Sequence, residues 1–84
     1  KTVIKRKTGN ISVCSFDKGE GLTEHISPFD AVLMVIDGEA EVTIGGEAST
    51  VKSGELIIMP RNIPHAAYAA EKFKMMLVMI RSEE

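Results

Sequence analysis

Residues 31–51 read AVLMVIDGEAEVTIGGEASTV. The stretch opens on an unbroken apolar run, Ala31 to Ile36. After the Asp37-Gly38 pair the pattern changes, and Ala40, Val42 and Ile44 alternate with Glu39, Glu41 and Thr43. A period of two sends successive side chains to opposite faces, so this second run is a strand with one dry face and one wet face. Asp37-Gly38 and Gly45-Gly46 are both hairpin signals, because two-residue turns need positive φ at a central position. A short continuous apolar run bounded by turn residues is a strand covered on both sides. The stretch therefore predicts three successive strands, at 31–36, 40–44 and 48–51.

The same alternation of strand and turn continues in both directions. Upstream, strands are expected at Thr2–Lys7, closed by the turn pair Gly9-Asn10, at Ile11–Phe16, closed by residues 18–21, and at Leu22–Ser27, ended by Pro28. Downstream they are expected at Glu55–Met59, His65–Ala70 and Lys74–Ile80. No helix of useful length, internal repeat or linker interrupts them. Short β runs at this spacing indicate an all-β sandwich or barrel. With 84 residues the chain has room for a single domain, 1–84. Lys1 falls inside what reads as a strand, so an upstream N-terminal segment is expected.

Composition narrows the partners. Ten basic and twelve acidic side chains give a net charge of −2. Nucleic acid would call for a clustered positive face, and none is present. Lys5, Arg6 and Lys7 read as a solvated strand edge, where charge discourages strand-to-strand aggregation. No apolar run approaches the roughly 20 residues of a spanning helix, so no membrane partner is expected. Cys14, the only cysteine, reads as a packed core thiol suited to a reducing compartment, and a cytoplasmic location is the expectation. Three runs are apolar on both faces: Val32–Ile36, Leu56–Met59 and Met75–Ile80. A small barrel normally wets its outer face. A second copy of the chain is the expected cover, giving a homodimer with an apolar β interface; the upstream segment is the alternative. The five methionines, 34, 59, 75, 76 and 79, read as gap-fillers of the core, with no ligand spacing.

Two segments carry a family resemblance. Residues 19–38 resemble the first cupin motif, G-x5-H-x-H-x3-E-x6-G. Gly19, His25 and Gly38 match it, while Ser27 replaces the second histidine and Ala31 the glutamate. Residues 54–69 resemble the second motif, G-x5-P-x-G-x2-H-x3-N. Gly54, Pro60 and His65 match, Asn62 stands at the second glycine and Ala69 at the asparagine. Asn is a mild change at that glycine, because it tolerates positive φ. The resemblance, which covers about half the chain, implies an RmlC-like double-stranded β-helix: a jelly-roll barrel whose open mouth holds a ligand or metal.

In complete cupins the two histidines and the glutamate of the first motif join the histidine of the second around a divalent metal. Such a donor set suits Fe, Mn, Ni or Zn. Here only His25 and His65 remain, and they are the only histidines in the chain. Ala31 cannot donate, Ser27 is a poor neutral ligand, and the carboxylate is gone. Two neutral imidazoles should hold a metal weakly. Glu24 is no substitute, since a neighbour of His25 in a strand points to the opposite face. Three readings of the pair stand open: a residual metal site on His25 and His65, a metal-free ligand pocket, and a structural pair packed at the mouth.

Ala31, Ala67 and Ala69 share the inward parity of His25, Ser27 and His65. Small side chains there either widen an apolar pocket or are filled in by neighbours. Asp30 reads as a turn or edge residue, and Arg61 as a solvated side chain near the mouth, with an anion-holding role as its alternative. The function expected is a stand-alone barrel binding a small, partly apolar molecule through His25, Ser27, Ala31, His65, Ala67 and Ala69, with a weak or absent metal. Two further readings are a metal-dependent enzyme of the dioxygenase, isomerase or decarboxylase kind, and a non-catalytic regulatory or scaffold module.

Overall fold

The structure is a computed structural model that describes residues 2–6 and 9–80. Among them are nine strands: β1 (Thr2–Arg6), β2 (Gly9–Phe16), β3 (Gly21–His25), β4 (Asp30–Asp37), β5 (Glu39–Ile44), β6 (Glu47–Lys52), β7 (Leu56–Met59), β8 (His65–Tyr68) and β9 (Phe73–Ile80). They form a five-stranded sheet in the order β1-β2-β9-β4-β7 and a four-stranded sheet in the order β3-β8-β5-β6. Every pairing is antiparallel. Apart from the β1-β2 and β5-β6 pairs, consecutive strands cross from sheet to sheet, which is the jelly-roll arrangement expected.

The core lies between the two sheets. One sheet contributes Ala31, Leu33 and Val35 of β4, Met59 of β7 and Phe73 and Met75 of β9; the other contributes Ala40 and Val42 of β5, Val51 of β6 and Ala67 of β8. Odd positions face inward in β4, β8 and β9, and even positions do so in β5, because each strand keeps a strict period of two. Phe73 is the largest fully buried side chain, and its ring stands 5.2 Å from that of Phe16. Cys14 packs against the same cluster, as a core thiol should. Met59 and Met75 are buried within it and Met79 packs against it, in keeping with their reading as core fillers, whereas Met34 and Met76, cross-strand partners, stand partly exposed on the outer face, because they alternate with the buried Leu33, Val35 and Met75.

Two turn expectations need correction. Gly45-Gly46 does close a two-residue hairpin between β5 and β6, with φ of 56° and 86° and Ile44 opposite Glu47. Asp37-Gly38 does not close a hairpin. It is a corner at which the chain leaves the five-stranded sheet at β4 and enters the four-stranded sheet at β5. Gly38 has a φ of 85°, and a Cβ there would meet the Lys72 carbonyl oxygen at 2.5 Å. Gly9-Asn10 is likewise no turn: both residues open β2, opposite Arg6 and Lys5 of β1. Lys7, the expected end of the first strand, lies outside the described residues. The expected strand ends at Ser27 and Ala70 also fall short, at His25 and Tyr68.

The three runs that are apolar on both faces prove to be adjacent strands, β9, β4 and β7, of one sheet. No helix among the described residues is long and apolar enough to cross a membrane.

Candidate functional site

His25 ends β3 and His65 begins β8, and the two are direct partners across that antiparallel pair. The register shifts between Leu22 and His25, a bulge that re-aims the end of β3. Leu22, which packs on the core, and His25, three positions on, therefore lean to the same side. On its other flank His65 faces Ile44 of β5. His65 is buried at 4% exposure while His25 is exposed, so the pair runs from the rim into the barrel.

The rings meet edge to face, with centroids 4.4 Å apart and planes at 72°. Their Nε2 atoms lie 3.1 Å apart. Both Nδ1 atoms point at backbone carbonyls two residues earlier: His25 Nδ1–H donates to the Thr23 oxygen at 2.8 Å, and His65 Nδ1–H to the Ile63 oxygen at 3.3 Å. A carbonyl oxygen only accepts, so each Nδ1 must carry the hydrogen, which leaves a lone pair on each Nε2 of the neutral rings. Two lone pairs facing each other at this distance repel. The three contacts are satisfied together only when one extra proton, or one cation, lies between the Nε2 atoms. Holding one ring nitrogen on a carbonyl to aim the other is also how proteins orient histidine ligands. His65 is held below the ordinary histidine pKa, first by burial, then by the positive charge His25 can carry, with the Ile63 carbonyl acting in the opposite sense.

The other expected site residues divide. Ala31, Ala67 and Ala69 all face inward and are buried at 4% or less, within the core cluster. Ala31 lies in register between Met59 of β7 and Met79 of β9, so two methionines flank the position where the motif places a carboxylate. Ser27 is buried too, but its hydroxyl accepts the Phe29 N–H at 3.1 Å and its carbonyl accepts the Asn62 N–H. It braces the turn between β3 and β4 against the loop that carries Asn62. Asn62 adopts the positive φ of 65° anticipated for it. Asp30 opens β4, a central strand and not an edge, and accepts the Arg61 backbone N–H at 2.9 Å, and Glu24 is exposed. The Thr23 and Ile63 carbonyls were not foreseen, since a backbone oxygen leaves no mark on residue identity.

A family model for the cupin domain matches residues 12–81. The chain belongs to the cupin family. A conserved Streptococcus pyogenes protein of unknown function superposes on this cupin with a TM-score of 0.93 at 43% identity, over 99% of this chain and 73% of that one. A cupin 2 conserved barrel domain protein from Leptotrichia buccalis gives 0.93 at 39% identity, over 96% of this chain and 39% of that one. An RmlC-like cupin from Shewanella frigidimarina, 19% identical, shares the fold at 0.92 over 100% of this chain and 76% of that one. No curated protein matches this cupin.

The family's metal can be tested against the donors. Metal–nitrogen bonds of about 2.1 Å at a right angle put two nitrogens about 3.0 Å apart, close to the Nε2 separation here. The two rings thus fit two adjacent positions of a metal. Among the described residues, however, no group of three His, Cys, Asp or Glu side chains could hold a metal ion. The four-donor centre of complete cupins does not fit this chain.

Proposed function

We propose that this cupin binds a small, partly apolar molecule at the barrel mouth through His25 and His65, with any divalent metal held weakly. The observation that carries this reading is the convergence of two Nε2 lone pairs at 3.1 Å, each ring anchored by its Nδ1–H on a carbonyl. That arrangement is arranged to accept one positive charge, and a proton needs no further donors. A guest with an acidic hydroxyl or carboxyl group supplies such a proton and leaves an anion beside the charged pair. Ile44, across from His65, and the inward-facing Ala67 give the adjoining wall an apolar character that suits the rest of such a guest. In this reading His65 orients the guest's polar group, His25 guards the rim, and Ser27 keeps the loop behind them in place.

The metal-dependent enzyme is the second reading, favoured by the Nε2 spacing and opposed by the missing carboxylate. Protein purified without chelator or nickel resin separates the two, by elemental analysis and native mass spectrometry. Binding through the pair predicts substoichiometric metal and a co-purifying organic molecule that His65→Ala loses. Stoichiometric metal that disappears in both His25→Ala and His65→Ala would overturn the metal-free reading.

A further inference from the structure

A second concavity lies at the end of the barrel away from the histidines. Asp37 closes β4, whose first residue, Asp30, holds the mouth loop at Arg61. The eight residues of that strand set its two ends roughly 23 Å apart. The concavity measures about 540 Å³, within the range of small-molecule sites. Along it Ser15 of β2, Lys74 of β9 and Asp37 of β4 stand side by side in register, all three exposed. Asp17, just past β2, and Lys72, just ahead of β9, bring a second pair of opposite charges. Phe73, buried at 1% exposure, and Gly38 complete the lining. A Cβ at Gly38 would meet the Lys72 carbonyl oxygen, so no side chain takes up space at that corner.

Oppositely charged cross-strand partners normally close on each other, since their Cβ atoms stand about 5 Å apart. Lys74 and Asp37 are such partners, and they do not close. The register shifts between Val35 and Asp37, a bulge that re-aims the aspartate. Among the described residues Lys18 and Glu71, the chain neighbours of Asp17 and Lys72, do form an ion pair, at 3.6 Å. None of the four charges in the concavity comes within 4.0 Å of an opposite one.

We infer that this concavity binds a small zwitterion of the free amino-acid type, separately from whatever the barrel mouth holds. Two ammonium and two carboxylate groups leave the lining neutral, so a simple anion or cation meets as much repulsion as attraction. A molecule that carries both signs is attracted at both ends. Its ammonium meets the Asp37 carboxylate and its carboxylate meets the Lys74 ammonium, filling the gap that the bulge keeps open. The Ser15 hydroxyl, on the other flank of Lys74, donates to the same carboxylate. Hydrogen bonds between charged groups are about twice as strong as neutral ones. All four charges are exposed, so binding is weak and falls as salt rises.

Titration of the isotope-labelled chain with glycine and with L-glutamine, followed by backbone amide shifts, tests it. The expected result is saturable movement of the Ser15, Gly38 and Lys74 amides, with a millimolar Kd that rises with salt. Acetate and ethylammonium, which carry one charge each, should bind at least ~fivefold more weakly. Asp37→Asn and Lys74→Gln should each weaken binding by about fivefold, with amide dispersion confirming the fold. Arg61→Gln, which removes the same charge as Lys74→Gln but at the mouth end, should leave it unchanged. No saturable shift with either amino acid overturns the proposal. Equal binding of acetate or ethylammonium overturns it as well, as does binding that survives both Asp37→Asn and Lys74→Gln or that Arg61→Gln weakens equally.

Discussion

Restoring the carboxylate at position 31 tests whether the two sheets close over the histidine pair as described. Ala31 is 4% exposed and sits in register between Met59 and Met79. Ala31→Glu drives one more methylene and a carboxylate into that space. Overpacking of this kind costs about 1–3 kcal/mol. A buried carboxyl with no partner adds about 1–3 kcal/mol more. A chain of this size has about 4–13 kcal/mol of total stability. A loss of about 3 kcal/mol, at about 4 °C or more per kcal/mol, lowers Tm by at least ~12 °C. The carboxylate also completes, with His25 and His65, a third donor for a divalent ion. At a hundredfold excess over Kd, Zn²⁺ or Mn²⁺ returns about 2.7 kcal/mol, most of the deficit. Melting curves in EDTA and in added metal measure both effects, with the wild-type chain as reference. If Ala31→Glu melts like the wild type in EDTA, position 31 is not enclosed. If metal raises both proteins equally, position 31 does not share the mouth with the histidines, and the reasoning fails.

Two further predictions follow from the same packing. Folding holds His65 below its ordinary pKa of 6.5, so the unfolded chain binds more protons than the folded one just below that value. Stability is therefore full above about pH 6.5 and is lost as pH falls through the folded pKa, and His65→Gln, compared by urea midpoint from pH 8 to pH 5, should remove most of that slope; an unchanged slope would place the titration elsewhere. Phe73→Ala empties the largest buried volume and its contact with Phe16, and should cost about 3–5 kcal/mol in urea unfolding with little change in m; a cost below about 1 kcal/mol would mean that the core is not closed around this ring.

Much of the fold is written in local periodicity. The alternation at Ala40, Val42 and Ile44 fixes which face of β5 is dry, and Ala40 and Val42 are fully buried. The runs that do not alternate are covered on one side by the core and left bare on the other, in three adjacent strands. Turn chemistry was only half legible. Asp37-Gly38 and Gly45-Gly46 share the positive φ that marks a turn. Only the second joins paired strands, because strand pairing is decided by distant residues and not by the turn. The histidine pair shows the same division. The motif spacing of His25 and His65 implies that both face inward. Their direct partnership depends on a bulge between Leu22 and His25, and ring orientation depends on two backbone carbonyls. Neither feature has a residue signature.

His25 and His65 stand on adjacent strands of a single sheet, tied by the backbone ladder of β3 and β8. The spacing of their backbones is thus set by the interstrand ladder, and the gap between the rings widens only by side-chain rotation that breaks the hydrogen bonds to the Thr23 and Ile63 carbonyls. Under the proposed binding role, selectivity for guests of different girth would be tuned from across the barrel, at positions such as Ala31, Met59 and Met79. The histidine wall acts as a fixed jaw, and the methionine-flanked wall is the one that sequence change can move.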